Sequence, residues 1–314
     1  MNGKMGEKQM NRLTRIVTTG ALLLLAGCAL FRSTPQDRVE PREIGVCSWS
    51  LRQSVAELDQ TLQTLPVKKV HLALGPFIHP DGRHGNAEDQ AAWKTIKANV
   101  ASGRWQVVCT MIGTIGEDYS TLETIRKTGG IVPDQHWAAN QKIVTQGARL
   151  TRELGCRQMS LHAGFLDEND PAAYSKFISR VRWIRDECAR HGVTVLLESG
   201  QETAQDLARF LTALPGVYVN FDPANMILYG KGNPVDALPA LVPWIRQVHI
   251  KDATPASTPG QWGSEVPWGD GAVHAKTFIA RLRELGYKGD FIIEREGGTN
   301  RLGDITLAIE RLTK

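Results

Sequence analysis

The stretch Gln247–Ala253 reads QVHIKDA. It begins like a buried β-strand and ends in a histidine, a lysine and an aspartate. A strand interior does not accommodate three such groups unless they pair with other charges, bind a metal or face a site. The stretch therefore predicts a strand that is apolar in its body and reaches a functional site at its carboxyl end.

Seven more runs of this kind surround it, and from Arg42 onward they alternate with stretches of helical periodicity. In order along the chain, the eight candidate strands are EIGVCSWS, KKVHLAL, WQVVCTMIG, CRQMSLHAG, VTVLLESG, VYVNFD, RQVHIKD and DFIIERE. Alternation of this type is typical of parallel βαβ units, and eight units over about 270 residues match the size of a (β/α)8 TIM barrel. A doubly wound open sheet is the alternative, but no G-x-G-x-x-G follows the first strand. We expect one catalytic domain over residues 42–314.

The first 28 residues have a different character. Four basic residues precede the apolar run Ile16–Gly27, IVTTGALLLLAG, which is too short to span a bilayer and is typical of a signal peptide. The run ends in LAGC, which resembles a bacterial lipobox and implies a lipid on Cys28; an ordinary secretory signal is the alternative. Because Ala29 follows, we expect an anchor on the periplasmic face of the outer membrane, with residues 29–41 as a polar tether.

Charge and cysteine content exclude some classes of protein. Residues 1–28 hold four basic residues and one acidic residue, so their removal lowers the formal net charge from +4 to +1. A nucleic-acid-binding surface would be more basic. The remaining cysteines show no CxxC spacing, and we predict buried thiols, although an oxidising compartment would permit a disulfide. They are Cys47, Cys109, Cys156 and Cys188.

Polar groups end several of the predicted strands, where barrel enzymes have their active sites. The fourth to eighth strands end in His162, Glu198, Asp222, His249 with Lys251 and Asp252, and Glu294 with Glu296. Three carboxylates and one imidazole suit one divalent ion such as Mn, Mg or Co, with zinc possible. Each residue also has a structural alternative: a helix cap for Glu198, a turn before Pro223 for Asp222, a core position for His249, and pairing with Arg295 or Arg301 for Glu294.

Four stretches together carry a family resemblance. They are LLESGQET (Leu196–Thr203), NFDPANM (Asn220–Met226), VHIKD (Val248–Asp252) and PWGDGAVHAKTFIARLRELGYKGDFIIERE (Pro267–Glu296). From about Arg42 to its end, the chain resembles the xylose isomerase-like TIM barrels grouped as sugar phosphate isomerases and epimerases.

That resemblance implies a metal site and a mechanism. The implied metal ligands are Glu198, Asp222, His249 and Glu294. The two glutamates would also exchange protons with the substrate, while the ion stabilises an enediolate. The chain departs from the related ketose 3-epimerases at Asn225, where those enzymes have a histidine that can titrate.

Other residues are candidates for substrate contact. His162, Asn225, Lys251 and Glu296 would face the substrate at the rim, with pairing to Asp252 or Glu296 as the alternative for Lys251. Trp49, Trp262 and Trp268 are candidates for stacking on a sugar, although packing is the alternative for each. His71 lies inside its strand, so we expect it in the core. Residues 254–271, rich in Pro, Gly and Trp, form a candidate lid.

Three functions remain open. The leading hypothesis is a metal-dependent isomerase or epimerase acting on a free or oxidised carbohydrate. A lyase or hydratase acting on 3-keto sugars or 3-keto glycosides would use the same site. A non-catalytic carbohydrate-binding lipoprotein is the third. The sequence does not indicate an oligomeric state.

Overall fold

Eight parallel strands close into a barrel, which confirms the predicted (β/α)8 fold. The computed structural model describes residues 38–79, 81, 85–258 and 260–314. The predicted signal peptide, Cys28 and most of the tether lie outside these residues. All described residues fall within one compact unit, Pro35–Lys314. Among them, no helix is both long and apolar enough to cross a membrane.

The strands and helices follow one another in the expected alternation. The strands are β1 Ile44–Cys47, β2 Lys69–Ala73, β3 Gln106–Ile112, β4 Gln158–Leu161, β5 Thr194–Glu198, β6 Tyr218–Phe221, β7 Ile245–Ile250, β8 Asp252–Thr254, β9 Ser264–Val266 and β10 Asp290–Ile293. The helices are α1 Val55–Thr64, α2 Ala87–Ala101, α3 Leu122–Thr128, α4 Asp134–Glu153, α5 Pro171–Arg190, α6 Ala204–Ala213, α7 Pro223–Leu228, α8 Pro234–Leu241, α9 Ala275–Glu284 and α10 Arg301–Thr313.

Around the barrel the order is β1-β10-β7-β6-β5-β4-β3-β2, and each pair is parallel. The strands are rich in branched apolar residues and are buried along most of their length, because helices cover one face and the barrel interior covers the other. Register aligns the carboxyl ends of β5, β6, β7 and β10, which are consecutive in the barrel. The polar groups that end these strands therefore meet at one rim.

Local signals in the sequence explain where the helices begin. Ser54 caps α1 and forms a reciprocal capping box with Glu57. Asp222 caps the short helix α7 by accepting a hydrogen bond from the backbone N–H of Asn225, and Pro223 occupies the first helical position. The turn role considered for Asp222 is therefore real, and it uses only one of the two carboxylate oxygens.

One feature after β7 differs from expectation, and the packing of Trp268 agrees with the structural interpretation considered for it. The predicted lid is not a plain loop, because β8 and β9 pair as an antiparallel ribbon within it. Trp268 does not serve as a sugar platform: it is buried, and its ring packs edge-on against Phe278 of α9 at 6.3 Å. The four cysteines are free and buried, as predicted.

Candidate active site

Four ionisable side chains converge inside the carboxyl rim of the barrel. Glu198 ends β5 and His249 lies in β7, whereas Asp222 and Glu294 directly follow β6 and β10. Glu294 Oε2 lies 3.1 Å from Nδ1 of His249. The corresponding distances from that nitrogen are 3.5 Å to Asp222 Oδ2 and 3.6 Å to Glu198 Oε1. All four residues are buried, and one ligand atom from each lies within 4.8 Å of the other three. The predicted quartet is thus assembled in space.

Two atoms of this quartet lack a hydrogen bond that burial would normally require. Among the residues that the structure describes, Asp222 Oδ2 and His249 Nδ1 are buried without a hydrogen-bond partner. They face each other across 3.5 Å. An oxygen-rich donor set with one imidazole fits a divalent cation, which would satisfy both atoms at once. The residues therefore fit the metal that the sequence predicts.

Burial and mutual charge set the ionisation of the quartet. Burial raises the pKa of Asp222 to about 6. Burial opposes ionisation of Glu294 as well, but Lys251 and His249 hold the pKa of this carboxyl well below its usual range. Burial alone would lower the pKa of His249, yet its contacts with Cys47 and with the carboxylates of Glu294 and Glu198 raise it well above 6.5. Without a cation at the centre, the imidazole is protonated and compensates part of the carboxylate charge.

Lys251 supplies a fixed positive charge beside the quartet. Its Nζ lies 3.0 Å from Glu294 Oε2, 2.9 Å from Glu296 Oε2 and 3.7 Å from Asp222 Oδ2, and the side chain is buried. It does not pair with Asp252. Three ionised carboxylates, a divalent ion and this ammonium group would sum to zero charge, which suits a buried site.

Asp252 organises the end of the lid and the turn that follows it, instead of joining the site. Its carboxylate accepts hydrogen bonds from the backbone N–H groups of Ala253, Gly269, Gly271 and Val273. This explains the glycines of the stretch WGDG: a Cβ on Gly271 would lie 2.2 Å from Asp252 Oδ1. The aspartate of QVHIKDA thus holds the chain that leads into α9.

The two glutamates of the quartet are held by neighbours on different elements. Trp49 does not simply stack, because its indole Nε1–H donates to Glu294 Oε1 at 2.7 Å. Asn225 donates through Nδ2 to Glu198 Oε1 at 3.2 Å, so it contacts a candidate base. The imidazole of His162 lies 3.5 Å from the same oxygen. Each of these three candidates lines the cavity, as the sequence predicts.

The cavity above the quartet has a volume of about 490 Å³ and is bounded by the lid. Trp262 of the lid packs edge-on against Tyr229, 5.0 Å between ring centroids. Glu265 of β9 accepts hydrogen bonds from the backbone N–H groups of Glu296 and Gly297, which fastens the ribbon to the end of β10. The structural alternative for Glu294 does not hold, because Arg295 pairs with Glu265 and Arg301 donates to the backbone oxygen of Ser50.

Sequence reasoning missed a layer of buried polar residues beneath the quartet. His71 of β2 is fully buried, as expected for a core residue, but its Nδ1 lies 3.1 Å from Nε2 of His249. Asn220 and Gln247 complete this layer, each at the middle of a strand and fully or almost fully buried. A polar residue amid an apolar run was the available signal in all three cases.

Comparisons with known proteins identify the family of this barrel. The chain belongs to the xylose isomerase-like TIM barrel family, whose description matches residues 73–314. A solved structure named a xylose isomerase domain protein, from Planctomyces limnophilus, is 30% identical, with a TM-score of 0.74 over 88% of this chain and 96% of that one.

Two further proteins carry epimerase names. The chain is 28% identical over 166 residues to SgbU of Escherichia coli (strain K12), which is named for an inferred L-ribulose-5-phosphate 3-epimerase activity. That match spans 49% of this chain and little more than half of the relative, 57%. The structure of the 3-keto-D-glucoside 4-epimerase YcjR from E. coli shares the fold at 14% identity, with a TM-score of 0.63 over 86% of this chain and 98% of that one.

Proposed function

We propose that this protein is a divalent-metal-dependent isomerase or epimerase that acts on a free or oxidised sugar by moving a proton at a carbon beside a carbonyl group. The observation that carries the proposal is the buried quartet, in which Asp222 Oδ2 and His249 Nδ1 face each other without a hydrogen-bond partner among the described residues. The epimerase name of the 28% identical relative supports the same class of reaction.

The two glutamates of the quartet are suited to proton transfer. Two strands separate β5 from β10 around the barrel, so Glu198 and Glu294 enter the site from different sides. The Trp49 bond to Glu294, and the Asn225 bond to Glu198, fix the orientation of each carboxylate. A bound divalent ion would supply Lewis-acid polarisation of the substrate carbonyl. One glutamate would remove the proton and the other would return it.

The charge of the cavity favours a substrate without a phosphate group. Glu265, Glu294 and Glu296 line it, and Lys251 is the one lysine or arginine among the described lining residues. That lysine is already paired with two of these carboxylates. An anionic phosphate would find no unpaired lysine or arginine among the described lining residues, whereas a neutral sugar would meet hydrogen-bonding groups and aromatic rings. We therefore propose a neutral sugar, unlike the phosphorylated sugar in the name of the relative.

One observation also favours the lyase or hydratase alternative on a 3-keto sugar or 3-keto glycoside. Burial lowers the pKa of His162, but the charges of Glu198 and Glu117 outweigh it and raise the pKa above its usual value. A protonated imidazole facing the cavity could donate a proton to a leaving group. Lipidation at Cys28 and an envelope location remain proposals that rest on the lipobox.

Product analysis tests the proposal and separates its two forms. Purified protein loaded with Mn²⁺, Mg²⁺ or Co²⁺ is incubated with neutral ketoses, aldoses, 3-keto glucosides and, for comparison, sugar phosphates. We expect an epimer or isomer of unchanged mass from a neutral or oxidised sugar. A product that has lost or gained water or an aglycone would establish the alternative. Turnover of sugar phosphates alone would contradict the substrate class, and turnover of no sugar would contradict the enzyme.

A further inference from the structure

The second ring nitrogen of His249, Nε2, points away from the quartet and contacts His71. Both rings are completely buried, and His249 Nε2 lies 3.1 Å from His71 Nδ1. The other nitrogen of His71, Nε2, lies 2.9 Å from Ser160 Oγ, and that hydroxyl lies 3.2 Å from the backbone oxygen of Thr110. A continuous chain of hydrogen bonds therefore runs from the quartet through β7, β2 and β4 to the backbone of β3.

The direction of this chain follows from its last member. The Ser160 hydroxyl lies within reach of the Thr110 carbonyl and of Met111 Sδ, 3.0 Å away, and because both of these groups only accept, the hydroxyl donates on this side. The serine oxygen is then free to accept from Nε2–H of His71. A neutral histidine carries one proton, so Nδ1 of His71 is unprotonated and accepts.

A second chain reaches the same result from the opposite side. The Glu198 carboxylate can only accept, so Asn220 directs its amide nitrogen at Oε2, 3.2 Å away. The Asn220 oxygen then accepts from Gln247 Nε2 at 3.1 Å. That same Gln247 nitrogen lies 2.9 Å from His71 Nδ1 and donates to it. Both chains thus leave Nδ1 of His71 as an acceptor.

We propose that His71 is a positioning residue that holds the proton of His249 on Nε2 and so keeps Nδ1 of His249 available to bind a divalent ion. The inference rests on the metal site of the proposed function. Asn220 Nδ2 also lies 3.0 Å from His249 Nε2 and would favour the opposite tautomer. When Nδ1 of His249 binds an ion, the single proton of the neutral ring lies on Nε2, and His71 Nδ1 at 3.1 Å is the ring nitrogen placed to accept it, sharing its one lone pair with the amide of Gln247. Partners of this kind on the far nitrogen orient metal-binding histidines.

Three variants test the role of His71. In His71→Asn, the side-chain oxygen stands three bonds from Cα, as Nδ1 does, and preserves the acceptor. His71→Leu removes the acceptor at similar size. Cys47→Ala is the matched control, because Cys47 contacts the same two rings at 3.9 and 3.7 Å without taking part in either chain. The affinity of each metal-free protein for Mn²⁺ is measured by calorimetric titration, and urea unfolding in chelator reports the stability of each fold.

We expect His71→Leu to weaken Mn²⁺ binding by about 10- to 100-fold, with His71→Asn and the Cys47 control within about threefold of wild type. Equal losses in the Asn and Leu variants would overturn the inference, as would wild-type affinity in a folded Leu variant. Wild-type protein that binds no divalent ion would overturn the metal site itself, which is a distinguishable result.

A measurement on unaltered protein covers the case in which a variant does not fold. Nitrogen-15 NMR of the Mg²⁺-loaded wild type reports which ring nitrogen of each histidine carries the proton. We expect the proton on Nε2 in both His71 and His249. A proton on Nδ1 of His71 would contradict both chains and overturn the inference.

Discussion

The change Asp222→Asn separates metal binding from folding, because it should abolish metal binding while raising the stability of the metal-free fold. Oδ1 of Asp222 caps α7 through the N–H of Asn225 at 2.8 Å, and asparagine caps helices as well as aspartate does. Oδ2 has no hydrogen-bond partner in the described part of the chain. The substitution therefore keeps the cap and removes a buried charge that Lys251 and His249 compensate only in part, as the raised pKa shows.

The size of the effect follows from the pKa of this carboxyl. Burial raises it from 3.8 to about 6. Because the pKa is raised, the metal-free fold loses stability as the pH rises from about 4 through 6. The difference between pKa values of 3.8 and about 6 corresponds to about 3 kcal/mol of unfolding free energy at pH 8. The asparagine variant should lack this loss. In chelator, we expect it to be more stable than wild type by up to about 3 kcal/mol at pH 8 and by less at pH 5.

Urea unfolding with chelator and with excess Mn²⁺ measures both parts of this prediction. An ion at 100 times its dissociation constant stabilises wild type by about 2.7 kcal/mol, whereas the variant should gain almost nothing. A variant that is less stable than wild type by more than about 1 kcal/mol in chelator at pH 8 would refute the reasoning, since the lost bond would exceed a typical hydrogen bond. So would a variant that Mn²⁺ stabilises as much as wild type.

Three further predictions concern single residues. Burial raises the pKa of Glu202 from 4.5 to about 7, so the stability of the fold falls as the pH rises through 7 and this carboxyl ionises. Urea unfolding should show Glu202→Gln more stable than wild type by up to about 3 kcal/mol at pH 8 but not at pH 4.5. Because His249 is protonated in the metal-free site, metal binding near neutral pH should release about one proton, which calorimetry in two buffers of different ionisation enthalpy would detect. Cys28→Ser should release the protein from the membrane fraction with the barrel still folded, and unchanged fractionation would contradict the lipid anchor.

The sequence was sufficient to predict the barrel and the quartet, because the strands follow from local patterns and one geometric rule then brings their ends together. Each strand is a short apolar run, and parallel strands end at the same rim, so Glu198 and Glu294 could be placed together despite their separation along the chain. Lys251 and Trp49 were found by the same rule. Their contacts with Glu294 were not, because these contacts depend on side-chain directions that strand ends do not specify.

Residues in the middle of strands were harder to interpret. The ladder between β2 and β3 shifts register at Val70/His71, and the ladder between β6 and β7 shifts at Val219/Asn220. Such irregularities change which residues face the barrel interior, and a strand pattern alone does not locate them. The contact between His71 and His249 joins residues 178 positions apart and follows from this packing.

The central claim is that Glu198 and Glu294 move a proton on a sugar, and solvent hydrogen exchange tests it most directly. Metal-loaded protein is incubated with its substrate in heavy water, and mass spectrometry and NMR locate deuterium. We expect wild type to introduce deuterium beside the carbonyl group and each glutamate-to-glutamine variant to lose at least about 100-fold in turnover, with one of the two still exchanging the substrate hydrogen. Near wild-type turnover in both variants, with metal still bound, would contradict the mechanism and direct attention to His162, Lys251 and Glu296.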